Sequence, residues 1–328
     1  MSNYMQRHDK IFVAGHHGLV GSSFVRCFKK HGYDNLLLRT HKELDLTDQS
    51  KVRDFFAEEK PDYVLMAAAK VGGIVANNTY PADFGYQNQA IQTNIIHAAW
   101  ENKVKRLVFL GSSCLYPRDC PQPMREEHLL TGLLEPTNKA YALAKISGIS
   151  LCESFNKQYH TKYLVGMPTN LYGPNDNYDL QASHVIPALM RKIHEAKLSN
   201  QSHVDVWGSG VVKREFMHSD DLAEAVLFLL NLPDAKYEPL IHCPTTGALV
   251  NIGYGEDISI KELVELLCDI VQYKGNVKWD TSKPDGTPQK LLNCDKINRM
   301  GWKAKRSLRT ELYNIYLEKF MNEPTVLA

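Results

Sequence analysis

Short apolar segments alternate with segments of helical period over the first half of the chain. The apolar runs occupy residues 11–14, 36–38, 63–69, 107–110 and 163–167. Runs of this length with few polar residues are typical of strands buried on both faces of a parallel sheet. Between the first two runs, Val20, Phe24 and Phe28 share one helical face, and Gly32 stands where that helix would end. The alternation predicts an α/β fold with a doubly wound parallel sheet of Rossmann type.

The pattern changes after Pro168, where turns separate shorter elements. The turn signals are Gly173-Pro174, Gly208-Ser209-Gly210 and Pro284-Asp285-Gly286. Helices are predicted at 219–230, at 259–271 with Ser259 as its cap, and at 308–321. We therefore predict a first domain over 1–172 with a returning segment at about 215–252, and a smaller mixed α/β lobe from 173–214 and 253–328.

Composition narrows the class of protein. The chain has 328 residues, of which 44% are apolar and 23% charged, as in a globular protein. Lys plus Arg total 38 and Asp plus Glu total 37, so the charge predicts neither a nucleic-acid nor a membrane partner. The seven cysteines form no C-x-x-C pair, no signal peptide is evident, and His194-Glu195 lacks the second histidine of a zinc motif. We expect a cytoplasmic protein with no metal site.

A glycine-rich loop follows the first predicted strand. Its sequence is Gly15-His16-His17-Gly18-Leu19-Val20-Gly21, and it opens the first predicted helix. Glycines there permit a tight turn and let the backbone approach a pyrophosphate, while the helix N-terminus offers free N–H donors. A plain strand-to-helix turn is the alternative, but the position favours a dinucleotide site.

The end of the second strand favours NADP over NAD. NAD sites usually place an acid there, whereas this chain has Leu38-Arg39-Thr40-His41. Arg39 and His41 suit a 2′-phosphate, although a solvated basic edge would look the same. Asp45 and Leu46 would then lie beside the adenine.

A tyrosine and a lysine one helical turn apart indicate redox chemistry. Tyr141 and Lys145 form a Y-x-x-x-K, which places a phenol and an ammonium on one helix face. A nearby lysine lowers a phenol pKa, so Tyr141 could exchange a proton with an alcohol or ketone. The spacing is common by chance. Its weight comes from Leu110-Gly111-Ser112-Ser113-Cys114, which places a serine hydroxyl at the carboxyl edge of the sheet.

Together the glycine loop, Ser112 and the Tyr141–Lys145 helix resemble the extended short-chain dehydrogenase/reductase superfamily. Longer strings are similar to the GDP-L-fucose synthase family: AAAKVGGI at 67–74, NNTYPADF at 77–84, GSSCLYP at 111–117, PTNLYGP at 168–174 and KPDG at 283–286. That family epimerises GDP-4-keto-6-deoxy-mannose on both sides of its ketone and then reduces the ketone with NADPH.

The resemblance implies roles for individual residues. Ser112, Tyr141 and Lys145 would serve the reduction, and Cys114 and His184 would act as acid and base in the epimerisations. A 4-keto group acidifies its neighbouring hydrogens, and thiol and imidazole reference pKa values of ~8.5 and ~6.5 lie on either side of neutrality. Nucleotide-sugar 4,6-dehydratases carry an Asp-Glu pair where this chain has Ser113-Cys114, so dehydration is excluded.

The resemblance also implies the binding residues and a partner. The cofactor set comprises the glycine loop, Arg39, His41, Asp45, Leu46, Leu110, Gly111, Ser112, Ser113, Tyr141, Lys145, Pro168, Thr169, Asn170, Leu171 and His184. The set for the GDP-sugar comprises Arg191, Trp207, Arg214, Asp285 and Lys290. Arginine suits a diphosphate and tryptophan a flat base. A homodimer through helices at 86–100 and 141–159 is implied as well.

Two histidines depart from the family pattern, and two other functions stay open. Family members often place arginines where this chain has His17 and His41, and neutral imidazoles bind phosphate poorly, so Arg39 would have to compensate. A GDP-L-colitose synthase would invert only carbon 5 of a 3-deoxy substrate. A non-catalytic NADP sensor would keep the glycine loop, but it would not need Tyr141 and Lys145.

Overall fold

The computed structural model describes residues 4–180, 183–283 and 285–322. Pro284 of the predicted turn, and residues 181–182 and 323–328 of the predicted lobe, lie outside the described residues. The strands are β1 (Ile11–Ala14), β2 (Leu36–Leu37), β3 (Tyr63–Met66), β4 (Arg106–Leu110), β5 (Tyr163–Pro168), β6 (Asn170–Tyr172), β7 (His203–Trp207), β8 (Lys213–His218), β9 (Leu249–Ile252), β10 (Asp257–Ser259), β11 (Asn276–Asp280) and β12 (Gln289–Lys290).

The helices follow the strands in the order expected of a wound sheet. They are α1 (Leu19–Lys30), α2 (Gln49–Glu59), α3 (Ile74–Thr79), α4 (Pro81–Glu101), α5 (Lys139–Tyr159), α6 (Val185–Leu198), α7 (Ser219–Leu230), α8 (Asp234–Ile241), α9 (Ile260–Val271), α10 (Asp295–Arg299) and α11 (Leu308–Tyr316), which continues as a π-helical stretch, Leu317–Asn322. Ser259 caps α9 in a capping box with Glu262, as its sequence predicts.

Six parallel strands form the main sheet, in the order β2-β1-β3-β4-β5-β9. Every residue of β1, β3, β4 and β5 is buried, because helices cover both faces of the sheet. The prediction of a doubly wound parallel sheet is confirmed. The third strand ends at Met66 rather than at residue 69, since the backbone of Ala68 passes against Gly15 of the glycine loop.

A second, smaller assembly of strands lies beyond β5. β8 pairs with β6, β10 and β12, and β7 pairs in parallel with β11. Its core, which includes Tyr172, Met190 and Leu263, is separate from the core around the main sheet. α7 and β9 return to the main core, whereas β8 belongs to the smaller sheet. In the part of the chain that is described, no helix is long and apolar enough to cross a bilayer.

Candidate active site

The glycine loop brings β1, α1 and β3 close together. Gly15 has φ +83°, and a Cβ there would lie 2.7 Å from backbone atoms of Ala68. A Cβ on Gly21 would lie 2.0 Å from the Gly15 carbonyl oxygen. Gly18 precedes the first residue of α1, so no side chain occupies the helix N-terminus, and the N–H groups of its first turn are free to bind a pyrophosphate.

The loop histidines pack on each other beside the second strand. The ring centroids of His16 and His17 are 4.0 Å apart. Burial and the neighbouring His17 lower the pKa of His16, whose buried Nδ1 finds no partner within the described residues. His41 is mostly exposed, with Nδ1 3.9 Å from Asp45.

Arg39 is less free than the sequence suggests. Its Nη2 donates to Glu59 Oε1 at 2.5 Å, and its guanidinium lies 5.4 Å from the centroid of Phe55. A 2′-phosphate would therefore compete with Glu59 for this cation. Asp45 accepts hydrogen bonds from the hydroxyl and N–H of Thr47, which lower its pKa, and the Leu46 carbonyl accepts from Asn94.

A serine and a cysteine leave the carboxyl end of β4 together. Ser112 precedes a 3₁₀ turn, Ser113–Leu115, and its hydroxyl oxygen accepts from the N–H of Cys114. The Cys114 thiol donates to the same oxygen, with Sγ 3.2 Å from Oγ. Gly111 is fixed by packing, since a Cβ there would lie 2.4 Å from the sulfur of Met167. The turn therefore presents hydroxyl and thiol side by side.

The first turns of α5 place Tyr141 and Lys145 above the end of β4. The Lys145 ammonium donates to the Leu110 carbonyl at 2.9 Å and lies 4.6 Å from the centroid of Phe109. Burial lowers the pKa of Lys145 to about 8. Burial also raises the pKa of Tyr141, and the charge of Cys114 adds to this. The expected lowering by Lys145 is therefore wrong for the protein alone, because desolvation of the phenolate dominates.

Cys114 connects this group to the smaller sheet. Its sulfur lies near enough to Tyr141, Lys145 and Lys290 to influence the pKa of each. Tyr141 and Lys290 are both half-buried, so each keeps surface that a ligand can reach.

His184 directly precedes α6 at the border of the smaller lobe. Its side chain is accessible from one side, and the protein around it lowers its pKa. Ser183 beside it has a buried hydroxyl with no partner in the described ranges. Within the part of the chain that the structure describes, no hydrogen bond or ion pair joins His184 to Cys114.

The end of β5 links the two sheets. Pro168 ends the strand, and Thr169 and Asn170 both donate to the Glu215 carbonyl, at 3.2 and 2.9 Å. Leu171 lies in β6 beside β8. These residues therefore join the end of the main sheet to the smaller sheet.

The predicted GDP-binding residues fall into two groups. Arg191 is held by Glu195 at 2.7 Å and by the Tyr178 carbonyl at 3.1 Å. Trp207 is 57% exposed, and the ammonium groups of Lys192 and Lys283 lie 5.8 and 5.5 Å from its ring centroid. An exposed ring between two cations is suited to an anionic ligand with a flat base.

The second group lies along β8 and β12. Arg214 is opposite Lys290 in the strand register, and burial lowers the pKa of both. The carboxylate of Asp285 accepts from the N–H and hydroxyl of Ser209 at 2.7 and 2.8 Å, and its carbonyl accepts from Arg214. Asp285 therefore holds the cation in place. Among the described residues, no acceptor lies within hydrogen-bond distance of the Lys290 ammonium.

Sequence reasoning missed three polar side chains near these groups. Lys192 and Lys283 flank Trp207, and Asp176 follows β6 with one buried carboxylate oxygen that has no partner in the part of the chain described. Burial raises the pKa of Asp176 to about 6. The position of Asp176 just after a strand end was the available signal, whereas the lysines depend on how β7 packs against its surroundings.

Comparison with known proteins identifies relatives along nearly the whole chain. A model of the NAD dependent epimerase/dehydratase family matches residues 11–253. "Putative GDP-L-fucose synthase 2" of Arabidopsis thaliana is 53% identical over 97% of this chain and 95% of its own. "GDP-L-fucose synthase" of Escherichia coli K12 is 52% identical over 94% and 95%. "GDP-L-colitose synthase" of Yersinia pseudotuberculosis is 36% identical over 96% and 98%.

Solved structures give the same picture. A C. jejuni structure described as a GDP-6-OMe-4-keto-L-xylo-heptose reductase has a TM-score of 0.91 and 38% identity, covering 98% of this chain and all of its own. A GDP-L-fucose synthetase from Naegleria fowleri bound to NADP has a TM-score of 0.84 and 26% identity, covering 97% of each chain. Both relatives and structures indicate an enzyme with a nicotinamide cofactor and a GDP-sugar substrate.

Proposed function

Because the chain belongs to the NAD dependent epimerase/dehydratase family, and within it to the GDP-L-fucose synthases, we propose that it converts GDP-4-keto-6-deoxy-mannose to GDP-L-fucose with NADPH. The observation that carries this proposal is the grouping of side chains at the carboxyl end of β4. There the Cys114 thiol donates to the Ser112 hydroxyl and the Lys145 ammonium donates to the Leu110 carbonyl, with Tyr141 one turn before Lys145 on α5. This group lies at the edge of a sheet whose glycine loop fits a dinucleotide. A non-catalytic NADP sensor would need only the glycine loop and not these side chains.

NADPH would be held by the free N–H groups at the start of α1, with Arg39 and His41 toward the 2′-phosphate. When bound, it supplies the hydride. Lys145 would hold the nicotinamide ribose, and the segment from Pro168 to Leu171 would close the site from the smaller lobe. The remaining members of the cofactor set would complete this site.

Epimerisation requires one group to remove a proton next to the ketone and another to return one on the opposite face. Cys114 and His184 fill these roles. Ser112 stabilises the enolate oxygen by donating its hydroxyl hydrogen, which is free because Ser112 Oγ acts as acceptor toward Cys114. Lys290 adds a positive charge beside the developing negative charge.

Reduction then uses Tyr141 as the proton donor to the carbonyl oxygen. The raised pKa of Tyr141 keeps the phenol protonated at neutral pH, which suits a group that must give a proton. Lys145 assists by stabilising the phenolate that is left. The product is an alcohol at carbon 4.

The GDP moiety would extend across the smaller lobe. Arg191 and Arg214 bind the diphosphate, Trp207 stacks on the guanine, and Asp285 orients Arg214. The division into 1–172 with a return at about 215–252, and 173–214 with 253–328, follows from this placement of cofactor and substrate.

The same proposal includes a homodimer in the cytoplasm. α4 packs on α5, and the pair leaves Tyr86, Leu143 and Tyr159 exposed at 70%, 47% and 41%. Such a patch on two long helices suits pairing with a second copy. All seven cysteines are free, as a reducing compartment requires.

Incubation of the protein with GDP-4-keto-6-deoxy-mannose and NADPH in deuterated water tests the function. Two ring positions should take up deuterium, NADPH should be oxidised, and NMR should identify GDP-L-fucose. If the protein acts only on a 3-deoxy substrate, and deuterium enters that sugar at carbon 5, the protein is a GDP-L-colitose synthase. If neither sugar causes NADPH oxidation, the non-catalytic NADP sensor is the function that remains.

Cys114→Ser tests the epimerisation roles. Deuterium uptake should fall by about 10²-fold or more, because serine is a far weaker acid than a thiol. Cys120→Ser is the matched control, since Cys120 is buried and hydrogen-bonds His128 instead. Exchange of both ring hydrogens at the parent rate in Cys114→Ser would remove Cys114 from this role, and the same test applies to His184→Gln.

A further inference from the structure

Three side chains of different chemistry meet on the outside of the main domain, where α1 packs against α7. Cys27 and His31 stand one turn apart at the end of α1, and Glu224 lies on α7. One donor atom of each, a sulfur, an imidazole nitrogen and a carboxylate oxygen, lies within 4.8 Å of the other two. None of these residues has a part in the proposed reaction.

The three donors differ in their exposure to solvent. Cys27 is 4% exposed. The side chains of His31 and Glu224 are 42% and 27% exposed, and His31 Nε2 lies 2.9 and 3.2 Å from the two oxygens of Glu224. An ion approaching from solvent would therefore meet the imidazole and the carboxylate first and the thiol last.

Some charges around Cys27, His31 and Glu224 oppose the binding of a cation, and others favour it. Lys30 Nζ lies 3.6 Å from Glu224, while Arg26 pairs with Asp220 and Arg306 pairs with Asp221, each at 2.6 Å. The C-terminal end of α1, where His31 sits, carries the negative pole of the helix dipole. Since each of the two arginines has its own carboxylate partner, Lys30 is the cation that competes directly with a metal ion for Glu224.

We propose that Cys27, His31 and Glu224 bind a divalent transition-metal ion of the zinc class, with water as the fourth ligand. A sulfur, nitrogen and oxygen donor set suits Zn²⁺ and excludes Ca²⁺ and Mg²⁺, which take oxygen ligands. On binding, the thiol S–H bond is lost, an S–metal bond forms and the proton passes to solvent. The ion would connect α1, whose other end forms the glycine loop, to α7.

Cobalt titration of the full chain, stripped with EDTA and dialysed, tests this site. Co²⁺ should bind one equivalent and give a thiolate-to-cobalt charge-transfer band, which Zn²⁺ then displaces. Cys27→Ser should remove the band, and His31→Gln, at a partly exposed position that cannot unfold the core, should weaken binding by at least about tenfold. Cys120→Ser and Cys114→Ser should keep the band, since those thiols lie elsewhere.

Two results would overturn the proposal. The first is the absence of a thiolate band when Co²⁺ is added to the parent protein. The second is a band that survives in both Cys27→Ser and His31→Gln, which would assign the ion to another thiol such as Cys120 beside His128. Thermal unfolding gives an independent readout, because Zn²⁺ should raise the Tm of the parent and leave that of His31→Gln unchanged.

Discussion

The two ends of strand β4 use buried cations in opposite ways. At the amino end, Arg106 is 0% exposed, and at the carboxyl end Lys145 is 4% exposed. Arg106 donates to the carbonyls of Leu230 and Leu232 and to Asp234, at 2.9, 2.7 and 2.6 Å. The rings of Tyr4 and Tyr237 lie 3.5 and 3.8 Å from its guanidinium carbon. Both Nη groups of this cation therefore have partners in the fold, and only its buried Nε lacks one within the described residues.

The carboxyl end leaves its cations incompletely paired. The Lys145 ammonium has only the Leu110 carbonyl and the ring of Phe109 as partners among the described residues, and the Lys290 ammonium has no hydrogen-bond acceptor among them. Burial lowers the pKa of both. A buried charge surrounded by fixed partners stabilises the fold, whereas one left open toward a cleft is available to a ligand. The same strand thus has a structural end and a chemical end.

Tyr141→Phe should have the largest effect and act only at the chemical end. Loss of the phenol proton donor should lower the rate of ketone reduction by about 10²- to 10⁴-fold, with unfolding unchanged. NADPH oxidation with the epimerised keto-sugar measures the rate, and urea denaturation measures stability. A variant that reduces the ketone at the parent rate contradicts the assignment.

Arg106→Met should act at the structural end. It leaves two buried carbonyls without a donor, so the free energy of unfolding should fall by about 3 kcal/mol while the folded enzyme keeps its kcat. Lys162→Met is the matched control, because Lys162 binds the same Asp234 at 2.7 Å but is partly exposed, and should cost about 1 kcal/mol or less. Equal losses of unfolding free energy in Arg106→Met and Lys162→Met would show that the buried cation at the amino end of β4 has no special structural role.

The pKa of Lys145 should set an upper pH limit for activity. Its pKa of about 8 means that the ammonium loses its charge as the pH rises past that value, so kcat/KM should fall above it. The fall should be about tenfold per pH unit. Lys145→Arg keeps a charged side chain and should lose this limb of the profile. An unchanged limb in the arginine variant would assign it to another group.

The smallest effect concerns coenzyme choice beside β2. Glu59→Gln should raise the preference for NADPH over NADH by about fivefold, since it releases Arg39 for the 2′-phosphate. The ratio of the kcat/KM values for the two coenzymes measures this preference. An unchanged ratio in Glu59→Gln would show that Glu59 does not compete with the phosphate for Arg39.

Local patterns predicted most of the first domain. Apolar runs gave four of its strands closely, and 219–230 is helical as its sequence predicts. The predicted end of the third strand was wrong, because the true end depends on a contact between Ala68 and Gly15, which lie far apart in sequence. The lowered pKa expected for Tyr141 was wrong as well, because spacing on a helix says nothing about desolvation.

By itself the sequence determined the wound parallel sheet, the glycine loop and the residue types at the edge of β4, because these follow from periodicity and from steric limits on neighbouring residues. Only the tertiary structure decided that Lys290 lies near Cys114, that Glu59 holds Arg39, and that Glu224 lies beside Cys27 and His31. Each of these depends on how elements distant in sequence pack, and their burial and charge then fix what the side chains can bind.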